Sequence, residues 1–321
     1  MREKIDTSQL FKLAVKAHQE GNTKKAELLY LNAIKNGIQV ESCYSNLGVI
    51  YKQRNEVGKA LTAFKTAIKT KPNFSQAYGN LGNLYREIGK LDDALSATSK
   101  AVRIEPSNPQ LHLNLGIINK ELGNLEEALQ ATISSINLSP NNAIAHINLG
   151  AIYKDLGRHE QALSHAKKSI IIEPTNSNAY ANLGSIYKEF GEINKAIDAN
   201  QKSLLLNPDN FHALMNLCII NRELGKTKKA LEYSLKSLQI DPHSEHANYN
   251  CGIIYSFLGQ PKAAKKHLEA SLKNNKSNKN TLSALGKVLK RMGDHSRGIQ
   301  MIRRGQGWIS MSFSGEVKLH Q

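Results

Sequence analysis

Three cysteines, eleven histidines and one Gly-X-Gly triplet are the residues of this 321-residue chain from which chemistry would have to be built. His243 and His246 stand three apart, and His212 lies 34 residues before His246. A zinc site needs further nitrogen or sulfur ligands at matched reach, and the sequence supplies none in phase with them. They are read as surface histidines. The triplet Gly305-Gln306-Gly307 lacks the third glycine and the preceding strand of a phosphate-cradling loop. Cys43, Cys218 and Cys251 fall at core positions of a repeating pattern and are read as small hydrophobes. Three cysteines make no disulfide framework, which points to a reducing, cytoplasmic setting. No nucleophile and base can be placed together. The expectation is a chain that is not an enzyme, with no catalytic residue, no cofactor and no metal.

What positions these residues is a period. Asn-Leu-Gly begins at Asn46, Asn80, Asn114, Asn148 and Asn182, and altered copies begin at Asn216 and Asn250. Every step is 34 residues. Prolines keep the same step from Pro72 to Pro242, and alanines from Ala26 to Ala264. Three series in phase define frames starting at Thr7, Glu41, Ser75, Pro109, Ala143, Ser177, Phe211, Glu245 and, in degraded form, Lys279.

Each frame describes two antiparallel helices. Between Ser75 and Asn108, Tyr78, Leu81, Gly82 and Tyr85 recur at helical spacing. Gly89 ends that helix, since a left-handed cap costs glycine nothing; Asn55 holds the equivalent place one frame earlier. Leu91, Ala94, Leu95, Val102 and Ile104 mark the second helix, and Pro106 blocks its continuation. Gly82 and Ala94 are small where two axes must approach. Ile50, Leu84, Ile118, Ile152 and Ile186 form a second apolar stripe that only a neighbouring repeat can cover.

The frame resembles the tetratricopeptide repeat, with Tyr44, Leu47, Gly48, Tyr51, Ala60, Phe64, Ala67 and Pro72 at that family's positions. The resemblance spans almost the whole chain and weakens toward both ends, where Ala14, Ile38, Gly298 and Ser310 depart from it. It implies an all-α, right-handed α-solenoid of about nine helix-turn-helix repeats. Residues 1–6 would be a leader, 7–304 the solenoid, and 305–321 a tail outside the period. In the tail, alternation of Ile309, Met311, Val317 and Leu319 about Ser314-Gly315 predicts a short β-hairpin, either a lid on the last helix or a docking strand.

In this family the outward stripe of the first helix lines a concave groove, here frame positions two, six, nine and thirteen. Position six is asparagine seven times running: Asn46, Asn80, Asn114, Asn148, Asn182, Asn216 and Asn250. Asparagine lowers helix stability by up to ~0.7 kcal/mol relative to alanine, yet its amide both donates and accepts. A ladder of such groups could hold an extended polypeptide by its main chain. The ladder is similar to the repeat region of the O-linked N-acetylglucosamine transferases, which bind acceptor polypeptides that way; the catalytic α/β domains of that family have no counterpart here. Position twelve is basic at Lys52, Arg86, Lys120, Lys154, Lys188 and Arg222, read as charge at the groove border. The acids beside them, Glu87, Glu121, Asp155, Glu189 and Glu223, are expected to pair with basic rows of neighbouring helices or to meet a ligand. His212, His246 and Asn83 are further polar candidates on the groove stripe. Asn83 lacks the lysine four residues before it that a carboxylate clamp of this family requires, Gly79 standing there instead.

The expected function is a non-catalytic scaffold or adaptor for an extended polypeptide, with a subunit that targets substrates to a separate modifying enzyme as the alternative. The formal net charge of +16 favours an acidic partner. From Glu245 onward there are 13 Lys and Arg against 4 Asp and Glu, so the excess is concentrated there. An RNA-associated scaffold is a lesser alternative, because stacking aromatics are scarce, at 6% of residues. No apolar run is long enough to span a membrane.

Overall fold

The computed structural model describes residues 9–306, 308–311 and 317–320. Eighteen helices follow one another among them, from α1 (Leu10–Gln19) and α2 (Thr23–Lys35) to α17 (Lys279–Arg291) and α18 (His295–Gln306). Each frame contributes an odd-numbered first helix and an even-numbered second helix. In the second frame these are α3 (Val40–Gln53) and α4 (Val57–Thr70), and in the third α5 (Ser75–Glu87) and α6 (Leu91–Ile104). The chain divides into two compact units, residues 1–158 and 159–321, with the boundary inside the fifth repeat.

The first unit contains α7 (Pro109–Leu122), α8 (Leu125–Leu138) and α9 (Ala143–Asp155) after the six helices already named. Within it α3, α5 and α7 each pack on their own second helix and also on the first helix of the next repeat. The second unit runs from α10 (His159–Ile172) through α11 (Ser177–Glu189), α12 (Ile193–Leu206), α13 (Phe211–Glu223), α14 (Thr227–Ile240), α15 (Glu245–Phe257) and α16 (Pro261–Asn274) to α17 and α18. Its first helices α11, α13, α15 and α17 touch in succession in the same way. Each unit is built on a stack of helix hairpins.

The repeat pattern explains both packings. A Cβ on Gly82 would stand 2.1 Å from Thr98 Oγ1 and 3.3 Å from the Ala94 carbonyl, so nothing larger than hydrogen fits between α5 and α6. Ile50, Leu84, Ile118, Ile152 and Ile186, the stripe left for a neighbouring repeat, are all at most 1% exposed. Gly89 has φ +74° and Asn55 φ +59°, the left-handed caps expected at the turn between paired helices.

A second polar series stands at the other end of the frame. Asn108, Asn142, Asn176, Asn210, Ser244 and Asn278 cap α7, α9, α11, α13, α15 and α17, each accepting a backbone N–H with its side-chain oxygen. Such caps contribute about 0.5–2 kcal/mol each. With the preceding prolines they set where the first helices from α7 to α15 begin.

Two expectations about the ends are refined. The helical region continues through Gly305 and Gln306 rather than stopping at residue 304. Gly305 therefore belongs to a helix and not to a phosphate loop; a Cβ there would meet the Lys279 carbonyl at 2.5 Å. Beyond it β1 (Trp308–Met311) pairs antiparallel with β2 (Val317–His320), Trp308 opposite His320. This is the hairpin the alternation predicted, but its turn at Ser314-Gly315 and the leader at residues 1–6 lie outside the described residues.

Candidate protein-interaction face

The seven asparagines lie on the first helices, four in the first unit and three in the second. Asn114 and Asn250 are buried, and the other five are half-buried. Most are wired to their surroundings. Asn46 Nδ2 donates to Tyr30 Oη of the preceding repeat at 3.1 Å, and Asn80 Nδ2 to Ser45 Oγ at 3.2 Å. Asn114 Oδ1 accepts from Gln110 Nε2 at 2.9 Å within α7. Asn148 Nδ2 donates to the Ile144 carbonyl at 2.9 Å within α9. In the second unit, Asn216 Nδ2 donates both to the Ala181 carbonyl and to Asn200 Oδ1, each at 3.0 Å. Asn250 donates to the His246 carbonyl at 3.0 Å and accepts from Arg222 Nη1 at 2.6 Å.

One offset governs the contacts between repeats. Asn80 reaches the residue 35 positions back, and so does Asn216. Position six of one first helix therefore abuts position five of the helix before it. Ser45 and Ala181 are buried there as small residues, which lets the amide in. Tyr30, Ser45 and Asn200 are partners that sequence periodicity alone did not single out. Each is a polar side chain at a frame position whose residue type varies from repeat to repeat.

The same offset reassigns the basic row. Lys52 pairs with Glu87 at 2.6 Å, Arg86 with Glu121 at 2.9 Å, and Lys120 with Asp155 at 3.5 Å. Lys154 also contacts Asp155, at 3.3 Å, and Arg222 is engaged by Asn250. These cations, read from sequence as groove charge, also bond within the array. Positions twelve and thirteen of successive first helices lie side by side, so opposite charges there meet. The acids beside them do pair with the neighbouring basic row at Glu87, Glu121 and Asp155. All these side chains keep roughly a third of their surface in water, where an ion pair contributes little. Lys52→Ala should accordingly lower stability by no more than about 1 kcal/mol. Denaturant titrations at low and high salt check this, and the deficit should shrink at high salt.

The remaining polar candidates are Asn83 in the first unit and His212 and His246 in the second. His212 and His246 are exposed, Asn83 is half-buried, and His212 meets Phe211 edge-on at 6.1 Å. Lys188 is half-buried on α11. His112 and His146, which replace an aromatic in their frames, bond the carbonyls of Pro106 and Pro140 at 2.8 and 3.1 Å. Cys43, Cys218 and Cys251 are fully buried, and burial pushes their thiols up to about 12, 11 and 11. Thiols so far from ionisation are poor nucleophiles. Among the described residues no group of three His, Cys, Asp or Glu could hold a metal ion, and no helix is long and apolar enough to cross a membrane.

Comparison with known proteins agrees with this architecture. A family profile described as TPR repeat matches residues 82–123 and 118–157. Two profiles described as tetratricopeptide repeat match residues 63–96 and 165–198, and residues 41–74, 143–176 and 245–278. Together they cover well over half of the chain. No curated protein matches it. Among solved structures, "Crystal structure of APC/C hetero-tetramer Cut9-Hcn1" is similar at 21% identity with a TM-score of 0.63, covering 78% of this chain. This chain spans 49% of that one, about half its length, and the likeness is one of fold. Part of the chain is also similar to "Crystal structure of MamA protein", at 26% identity over 53% of this chain and 92% of that one, with a TM-score of 0.46. The matched repeats and the helix hairpins they describe place this chain in the tetratricopeptide repeat family of protein-interaction scaffolds.

Proposed function

We propose that the first-helix face of each unit holds an extended polypeptide by its main chain, through asparagines that are already fixed in place. The supporting observation is how these amides are held. Among the described residues, Asn46 and Asn80 each donate one hydrogen bond to the preceding repeat, Asn148 donates one within its own helix, and none of the three accepts one. A carboxamide offers two donors and two acceptor lone pairs, so each presents an oriented carbonyl oxygen to an incoming N–H. Orientation by the array removes side-chain entropy that binding would otherwise cost. Neighbouring helices lie ~10 Å apart, a distance an extended chain covers in about three residues. Position two varies freely beside the ladder, through Ser42, Gln76, Gln110 and Ile144, which suits recognition that ignores side chains.

The test uses labelled extended peptides of mixed sequence and their backbone N-methylated analogues, read by fluorescence polarisation on the whole chain. Asn80→Ala with Asn148→Ala should weaken the parent peptides roughly tenfold, two hydrogen bonds at about 0.5–1.5 kcal/mol each. N-methylation should weaken binding to the unaltered protein to a similar degree. Equal binding of parent and N-methylated peptides would dismiss main-chain recognition.

A further inference from the structure

The ladder and its ion pairs change character in the last two repeats, and a cavity opens where they do. It measures about 490 Å³ and lies between α15 and α17, reaching the end of α18. Position twelve of α15 is Ser256 rather than a cation, and position thirteen is Phe257 rather than an acid. On α17 the ladder position is Ala284, position nine is Lys287, and position thirteen is Arg291. Arg291 repeats the 35-residue offset seen upstream, but Nη1 donates to the Ser256 Oγ and carbonyl at 3.0 and 3.3 Å. No described residue lining this cavity is acidic. Lys287 and Arg291 are exposed and make no ion pair among the described residues. Phe257 is 73% exposed, an unusual place for an aromatic ring on a face otherwise polar. Tyr249 and Ile253 line the cavity with it.

We propose that this cavity is a side-chain anchor for a polypeptide carrying an apolar residue and, about three residues away, a carboxylate. It rests on the main-chain reading above and adds a specificity to it. The apolar side chain would lie against Tyr249, Ile253 and Phe257, and the carboxylate would meet Lys287 and Arg291. The geometry selects this occupant: the apolar residues belong to α15 and the cations to α17, and an extended chain crosses from one such helix to the next in about three residues, with Arg291 Nη1 reaching back to Ser256 beside Phe257. Charge selects its sign. Two cations without a carboxylate partner stand in a region already rich in Lys and Arg, which disfavours basic peptides at encounter. A volume of this size fits the usual range for small binding sites. In the first unit, the corresponding positions twelve and thirteen are closed by pairs such as Lys52 with Glu87.

The probes are a labelled 12-residue peptide of repeating Leu-Ser-Ser-Asp, its Leu-Ser-Ser-Lys counterpart, and a 12-residue oligouridylate, all on the whole chain. The aspartate peptide should bind at least tenfold more tightly than the lysine peptide at low salt. Lys287→Glu with Arg291→Glu should reverse that order, and Phe257→Ala should weaken both peptides severalfold. All three positions are exposed, so unchanged melting temperatures confirm that the fold persists. An order that survives the double charge reversal overturns the anchor, as does an oligouridylate that outcompetes the aspartate peptide. If mixed-sequence peptides still bind and respond to N-methylation, the main-chain reading stands while the anchor falls. A charge-dependent preference without any response to N-methylation has the opposite meaning.

Discussion

Phe64→Ala should destabilise the first unit by about 3–5 kcal/mol, the cost of emptying a fully buried aromatic site. The Phe64 side chain is 0% exposed and packs with Leu81, Leu84 and Ala60. Its ring also occupies the ground over Gly48, where a Cβ would stand 2.5 Å from Cε1 and 2.6 Å from Cδ1. Gly48→Ala should therefore cost about 1–3 kcal/mol through overpacking. Combined, the two changes should not add. With the ring gone, the new methyl group enters vacated space, and alanine is the better helix residue by up to about 1 kcal/mol. The double variant should match Phe64→Ala or exceed it slightly in stability, a coupling of the size seen for residues in direct contact. Urea midpoints for the four proteins measure this. Strict additivity would mean that ring and glycine do not share one space.

That pair also shows where sequence reading succeeds and where it stops. Gly48 opposite Phe64, Gly82 opposite Thr98 and Gly184 opposite Asn200 are one small-to-large contact repeated every 34 residues, so spacing alone exposes the fold. What fills the large side is irregular. Phe64, Thr98, Thr132, Asn200 and Leu268 occupy equivalent places, and only coordinates show that Asn200 there reaches a ladder residue. The ladder itself was legible as a column of identical residues. Its wiring was not, because a 35-residue offset joins positions five and six of different helices, a relation that no single frame displays. The ion pairs of Lys52, Arg86 and Lys120 are hidden from a single frame for the same reason. Phe257 was passed over because a lone aromatic at a variable position carries no periodic signal; exposure alone distinguishes it.

The asparagines should consequently divide into two kinds when replaced by alanine. Among the described residues Asn148 bonds only its own helix, at the Ile144 carbonyl, a contact that competes with helical geometry more than it supports the array. Asn148→Ala should leave stability unchanged or raise it by up to ~0.7 kcal/mol, the difference in helix propensity. Asn216 is placed differently. It joins the Ala181 carbonyl of the preceding first helix to Asn200 Oδ1 of the preceding second helix. Asn200 is fully buried, and its own Nδ2 donates to the Ala196 carbonyl at 2.7 Å. Removing the Asn216 amide strands a buried acceptor with no water to replace the lost donor, at a cost of about 1–3 kcal/mol. Asn216→Ala should lower the urea midpoint of the second unit, while Asn200→Ala made with it should cost little more, since the stranded oxygen leaves too. The same amide type at the same frame position thus fixes the stack at one repeat and leaves its oxygen facing outward at another. Equal stability of Asn148→Ala and Asn216→Ala would show that the two are interchangeable, and that neighbour contacts do not decide which rungs hold the array.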